Sequence, residues 1–188
     1  DKVAESAVFF GGACLAALII LAAADFLRRR FDDRRPAWAA MPWLLPATGI
    51  GLYMAWQRLW LCDDAFITFR YSRHFAEGNG LVFNPGEWVE GYTNFLWTVL
   101  LGAAHWLGAD IPLTALFGNL AAFVAILVLS AVIVHRAGPG PNLLPIASLA
   151  LAGSAAFATY ASSGLETMPA AMLVMVGVWL STEKRPLL

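Results

Sequence analysis

The sequence predicts an all-α, polytopic transmembrane helical bundle of about five spans, with juxtamembrane helices in its first large outward-facing loop. Three observations carry this prediction. Only 13% of the 188 residues are charged, while 60% are hydrophobic; soluble domains carry about 25% charged residues. Long apolar runs recur along the chain, giving a mean hydropathy of +0.66. Basic residues concentrate in a few of the connections between those runs, as they do where charge sets membrane sidedness. The eight tryptophans suit a bilayer interface, which favours indole rings. A net charge of −1 supplies no basic field for nucleic acid, so the bilayer itself is the expected partner.

A spanning helix needs about 20 mainly apolar residues. Taken in order, the runs meeting or approaching that length are 7–27, 38–60, 113–134, 143–161 and 168–180. The run 7–27 is too long for the core of a cleavable signal. It leads into Arg28-Arg29-Arg30 and Arg34-Arg35 rather than a small-residue cleavage site, so 1–36 reads as an N-terminal extra helix with a basic cytoplasmic loop. The run 38–60 then crosses outward, and the loop 61–94 faces the periplasm. The run 95–107 is apolar but short. If it spanned, Arg136 and Lys184-Arg185 would fall outside; if it lies on the outer face, every basic connection falls inside. The second arrangement obeys the charge rule throughout, so 95–107 is expected to be a juxtamembrane helix, and 61–110 forms one periplasmic loop. Glu166 then shares a side with Asp63 and Asp64. Pro169 suits the first turn of the last span, and Gly138-Pro139-Gly140-Pro141-Asn142 breaks two helices apart. The whole of 1–188 reads as a single transmembrane module, expected to be part of a longer protein. Cys14 lies in an apolar run and Cys62 beside the loop, so no disulfide is expected.

The loop holds most of the charge. From Ala65 to Glu77 the spacing predicts a helix, with Arg70, Arg73, His74 and Glu77 on one face and Ala65, Phe66, Phe69 and Phe75 on the other. Gly78 would stop it, and Asn84-Pro85-Gly86-Glu87 reads as a tight turn. Asp63-Asp64 sits where the second span ends and this helix begins. One aspartate there would serve as a cap. Two adjacent carboxylates repel at a low-dielectric boundary and require compensation, which favours a functional role for at least one. Arg70 and Arg73 either pair with lipid headgroups and Glu77, or hold a phosphate in a planar fork of donors. His74 reads as a hydrogen-bonded surface residue rather than a metal ligand. Glu166 could simply cap the helix that starts near Met168.

The runs Asp63-Asp64-Ala65-Phe66-Ile67-Thr68-Phe69-Arg70-Tyr71, Gly78-Asn79-Gly80-Leu81-Val82-Phe83-Asn84-Pro85-Gly86-Glu87 and Val89-Glu90-Gly91-Tyr92-Thr93-Asn94 resemble the first extracytoplasmic loop of bacterial GT-C glycosyltransferases. The resemblance is strongest to the group containing the mycobacterial terminal arabinofuranosyltransferase. Ser163-Gly164-Leu165-Glu166-Thr167 is similar to a shorter motif of that group. The resemblance implies a multi-pass protein of the bacterial inner membrane, a polyprenyl-phosphate sugar donor, and a glycan or protein acceptor arriving from outside. It implies that the catalytic base lies in the pair Asp63 and Asp64, with Asp64 favoured. Arg58, Arg70, Arg73, His74, Glu90, Tyr92, Asn94 and Glu166 are the expected substrate contacts. Direct displacement would invert the anomeric centre. A divalent metal could sit at the acid pair, although the sequence does not require one. Family members are usually longer, and the stretch 1–36 looks like an addition to their pattern. Two alternatives stand beside this reading. One is a non-catalytic transmembrane subunit of a larger membrane complex. The other is a transporter, which would predict ionisable residues within spans; 113–134 and 143–161 contain none.

Overall fold

A computed structural model describes residues 41–137 and 146–183. The expected span 7–27, the basic cluster 28–35, Cys14, the breaker 138–142 and Lys184-Arg185 lie outside the described residues. Within them all regular secondary structure is helical: α1 (Met41–Gln57), α2 (Asp63–Ala76), α3 (Phe95–Trp106), α4 (Ile111–Ala137), α5 (Ile146–Gly153), α6 (Ala155–Tyr160) and α7 (Thr167–Glu183).

Among the described residues one helix is long and apolar enough to cross a bilayer, over Ile111–Val134 of α4. It forms the axis on which α1, α5 and α7 pack. Phe123 is fully buried there, with its ring 5.2 Å from that of Phe157. A small polar staple joins α4 to α5: the Ser130 and Ser148 hydroxyls lie 2.7 Å apart, and Ser148 donates to the Leu127 carbonyl at 2.9 Å. Hydroxyls facing apolar surroundings find partners across helices in this way.

The described parts of the other expected spans are helical as well. The run 38–60 is helical over its described part as α1, which ends at Gln57. The run 143–161 is broken, because Ser154 takes extended backbone angles and its hydroxyl accepts from the Phe157 N–H at 3.3 Å, starting α6 afresh. The run 95–107 is helical as α3, and 168–180 lies within α7.

A second, smaller layer is formed by α2 and α3. They cross closely: a Cβ on Gly102 would lie 2.9 Å from the Ser72 carbonyl oxygen. Ser72 donates its hydroxyl to the carbonyls of Thr68 and Thr98, both at 2.9 Å. Ala65, Phe69, Trp97 and Leu101 then pack with Ile111 and Ala115, at the start of α4. The two helices therefore cover one end of the bundle. Arg136 lies at the far end of α4, roughly 35–40 Å away at 1.5 Å per residue.

Candidate functional site

Asp63 and Asp64 open α2 in its first turn, where the helix dipole favours negative charge. The capping role is not theirs: Cys62 occupies the N-cap position, and no side chain caps the helix. Both aspartates are exposed, and neither carboxylate has a partner among the described residues.

Two segments pack against this helix, the first at its start. The first is 162–166. The Cys62 N–H donates to the Ser163 carbonyl at 2.9 Å, and the Trp60 indole donates to the Thr159 carbonyl at 3.1 Å. Gly164 makes the approach feasible. Its φ is +82°, and a Cβ there would stand 3.1 Å from each of Ala65, Leu61 and Phe69. The Trp97 indole holds the Gly164 carbonyl at 3.1 Å. The Glu166 carboxylate, half-buried at the head of α7, accepts from Asn94 Nδ2 at 2.8 Å. Asn94 also donates to Thr68 Oγ1 at 2.9 Å and accepts from Thr98 Oγ1 at 3.0 Å. Thr68 lies one turn after Asp64 on the same stripe of α2, because residues four apart share a face. Thr68, Asn94 and Glu166 are thus joined by hydrogen bonds one turn of α2 beyond Asp64.

The second segment is the loop 78–94, which folds along a different stripe. Arg70 fastens it: Nε donates to the Phe83 carbonyl and Nη2 to Asn84 Oδ1, both at 2.7 Å, with the guanidinium 4.4 Å from the Phe83 ring centroid. The His74 Nδ1 lies 2.9 Å from the Val82 carbonyl. Buried Tyr71 donates to the Val89 carbonyl at 2.8 Å and meets Tyr92 edge-on at 4.9 Å. Gly78 follows the end of α2 with φ +83°, and the turn at 84–87 closes with a 3.1 Å bond from the Glu87 N–H to the Asn84 carbonyl. A shallow groove of about 320 Å³ runs between helix and loop, lined by Ile67, Tyr71, Phe83, Asn84 and Glu87; neither aspartate lines it.

The basic face expected on α2 is therefore divided. Arg70 and His74 hold the loop. Arg73 is exposed, with no partner among the described residues, and lies about half a turn of the helical wheel from Asp64 at roughly 100° per residue. The apolar face is also redrawn: Ala65, Thr68, Phe69, Tyr71 and Ser72 are buried, whereas Phe66 is 51% exposed and Phe75 38%. Half-buried Arg58, just past the end of α1, uses Nη1 on the Met54 carbonyl at 3.3 Å, and its own carbonyl accepts from Ser162 Oγ at 3.5 Å. Glu90 is exposed. Among the described residues, no three His, Cys, Asp or Glu side chains converge as metal ligands would.

Sequence reasoning missed Thr68, Thr98 and Trp97. The spacing of Thr68 from Asp64 was a usable signal for the first. The other two declare themselves only through contacts with residues 4 to 67 positions away.

Compared with known proteins, the chain is 46% identical over 59 residues to the terminal beta-(1->2)-arabinofuranosyltransferase of Mycobacterium tuberculosis. It is 38% identical over 65 residues to the protein of the same name from Corynebacterium glutamicum. These matches cover 31% and 33% of this chain, and only 9% and 10% of the relatives' own lengths. No protein-family model and no solved structure matches.

Proposed function

We propose that this chain carries the catalytic membrane part of a glycosyltransferase, moving a sugar from a polyprenyl-phosphate donor to a hydroxyl of a periplasmic glycan or protein acceptor. The observation that supports it is the docking of the 162–166 segment against the start of α2, with Glu166 tied to Asn94 at 2.8 Å on the stripe that Asp64 begins. Docking of two segments about a hundred residues apart beside a pair of exposed acids is a site-like arrangement. The similarity to two arabinofuranosyltransferases supports the reaction class.

In this reading α1, α4, the α5–α6 pair and α7 lie in a multi-pass bundle of the bacterial inner membrane. The helix α3 lies in the outer interface. It carries no Asp, Glu, Lys or Arg, and exposes Phe95, Leu96, Leu100 and Trp106. A patch of that kind on a soluble surface would be unusual. The donor's tail stays in the bilayer while its sugar reaches Asp64.

The acceptor O–H gives its proton to an aspartate, Asp64 before Asp63, as its oxygen bonds to the anomeric carbon. The bond from that carbon to the phosphate oxygen breaks, the polyprenyl phosphate leaves with the electron pair, and the anomeric centre inverts. Arg58 is the favoured partner for the leaving phosphate, since Arg70 is engaged with the loop and, among the described residues, only Nη1 of the Arg58 guanidinium is engaged. Glu166, Glu90 and Tyr92 contact sugar hydroxyls.

A positioned base contributes roughly 10²–10⁴-fold. Replacing Asp63 and Asp64 separately by Asn and measuring steady-state transfer from a lipid-linked donor tests the reading. One variant is expected to lose at least about a hundredfold; undiminished rates in both would remove the catalytic assignment.

A further inference from the structure

Asn94 is a substrate-contact candidate by sequence, yet its hydrogen-bonding capacity is taken up inside the protein. An amide side chain offers two N–H donors and an oxygen with two lone pairs. Nδ2 donates to Glu166 Oε2 at 2.8 Å and to Thr68 Oγ1 at 2.9 Å. Oδ1 accepts from Thr98 Oγ1 at 3.0 Å and faces Thr68 Oγ1 at 3.4 Å. Thr68 and Thr98 are buried, at 4% and 0% exposure, so water does not compete with the bonds these two threonines make. Little is left for a ligand.

The location makes this arrangement more telling. Asn94 is the N-cap residue of α3, and asparagine is among the best caps, but its side chain makes no cap bond. An unused cap costs about 1 kcal/mol. Local rules broken in this manner tend to mark functional sites. The amide has only one sensible orientation. The Glu166 carboxylate only accepts, so Nδ2 faces it and Oδ1 is left as the acceptor end toward the Thr98 hydroxyl at 3.0 Å. The Glu166 backbone is fixed as well, its carbonyl receiving the Ala170 N–H at 2.8 Å. Its second oxygen, Oε1, has no partner among the described residues.

We infer that Asn94 is a positioning residue: locked by Thr98 and Thr68, it holds one oxygen of Glu166 so that the other is presented beside Asp64 to a hydroxyl of the bound sugar. This deepens the transferase reading and rests on it. A carboxylate oxygen with its neighbour already anchored is a directional acceptor for a sugar O–H, and misplacement of such a group by about 1 Å can cost around a hundredfold.

The test uses the full-length protein in membranes, assayed for transfer from a polyprenyl-phosphate-linked sugar. Asn94→Ala and Glu166→Gln are each expected to lower kcat/KM by about 10- to 100-fold. The double variant is expected to fall within about twofold of the slower single variant, because residues acting as one unit are not additive. Losses that multiply would overturn the inference, since Asn94 would then act independently of Glu166. If Asn94→Ala does not fold, the Thr98 pair decides: Thr98→Ser keeps the hydroxyl and should retain near wild-type activity, while Thr98→Val should lose several-fold. Equal activity in those two also overturns it. Failure of the transferase reading looks different, with Asp63→Asn, Asp64→Asn and Glu166→Gln all at the wild-type rate.

Discussion

At the scale of single residues, charge was legible in the sequence but its use was not. The spacing placed Arg70 and His74 on one face of a helix, which is where they stand. That both turn back onto the 78–94 loop depends on contacts 8 to 14 residues away, which periodicity does not encode. Arg70→Ala should therefore loosen the loop more than it alters chemistry, costing about 1 kcal/mol for bonds made at an exposed site. Faster hydrogen exchange or protease cleavage within 83–90 would show this. Tyr71→Phe should behave similarly, losing about 1 kcal/mol with its bond to the Val89 carbonyl. Asn119 is a different case. It is fully buried in α4, and neither its Nδ2 nor its Oδ1 has a partner among the described residues. Replacing an unsatisfied buried amide by an apolar side chain of similar shape can be neutral or stabilising, so Asn119→Leu should leave the thermal midpoint in detergent unchanged or raise it. A clear drop would show that the amide has a partner in the membrane.

At the scale of elements, apolar run length predicted where helices occur, and α2 begins two residues before the expected Ala65. Run length did not reveal the break at Ser154, because a single serine in an apolar run looks like any small residue until it caps the helix that follows. Nor did it reveal how closely α2 and α3 approach. Gly102 allows that crossing, and a Cβ there would meet the Ser72 carbonyl at 2.9 Å and Phe75 at 2.8 Å. Backbone cannot move aside as a flexible side chain can. Gly102→Ala should cost about 1–3 kcal/mol, read as a lower thermal midpoint, and a neutral result would mean the helices sit farther apart. Gly164→Ala should be harsher for the site. It combines a left-handed backbone, which costs a non-glycine residue about 1–2 kcal/mol, with contacts at 3.1 Å on the segment that carries Glu166.

At the scale of the whole molecule, the start of α2 and the Glu166 segment are neighbours at one end of α4, whereas their common side of a bilayer is an expectation from the basic connections that belongs to the proposal. Which residues of the two motifs touch was not legible, since one sequence carries no record of pairings across a hundred positions. Half-buried Cys62 reports the orientation directly. In a Cys14→Ser background, a membrane-impermeant maleimide should label it from the outer face of intact spheroplasts; labelling only after permeabilisation would reverse the assigned sidedness. The central claim is that the carboxylates at the start of α2 and the Glu166 segment form one transfer site. The most direct measurement is single-turnover transfer from a saturating polyprenyl-phosphate-linked sugar by the full-length protein carrying Asp64→Asn, Asp63→Asn or Glu166→Gln. A fall of about a hundredfold or more in one aspartate variant, with Glu166→Gln also slowed and all three folded, is the predicted result, and wild-type single-turnover rates in all three would contradict it.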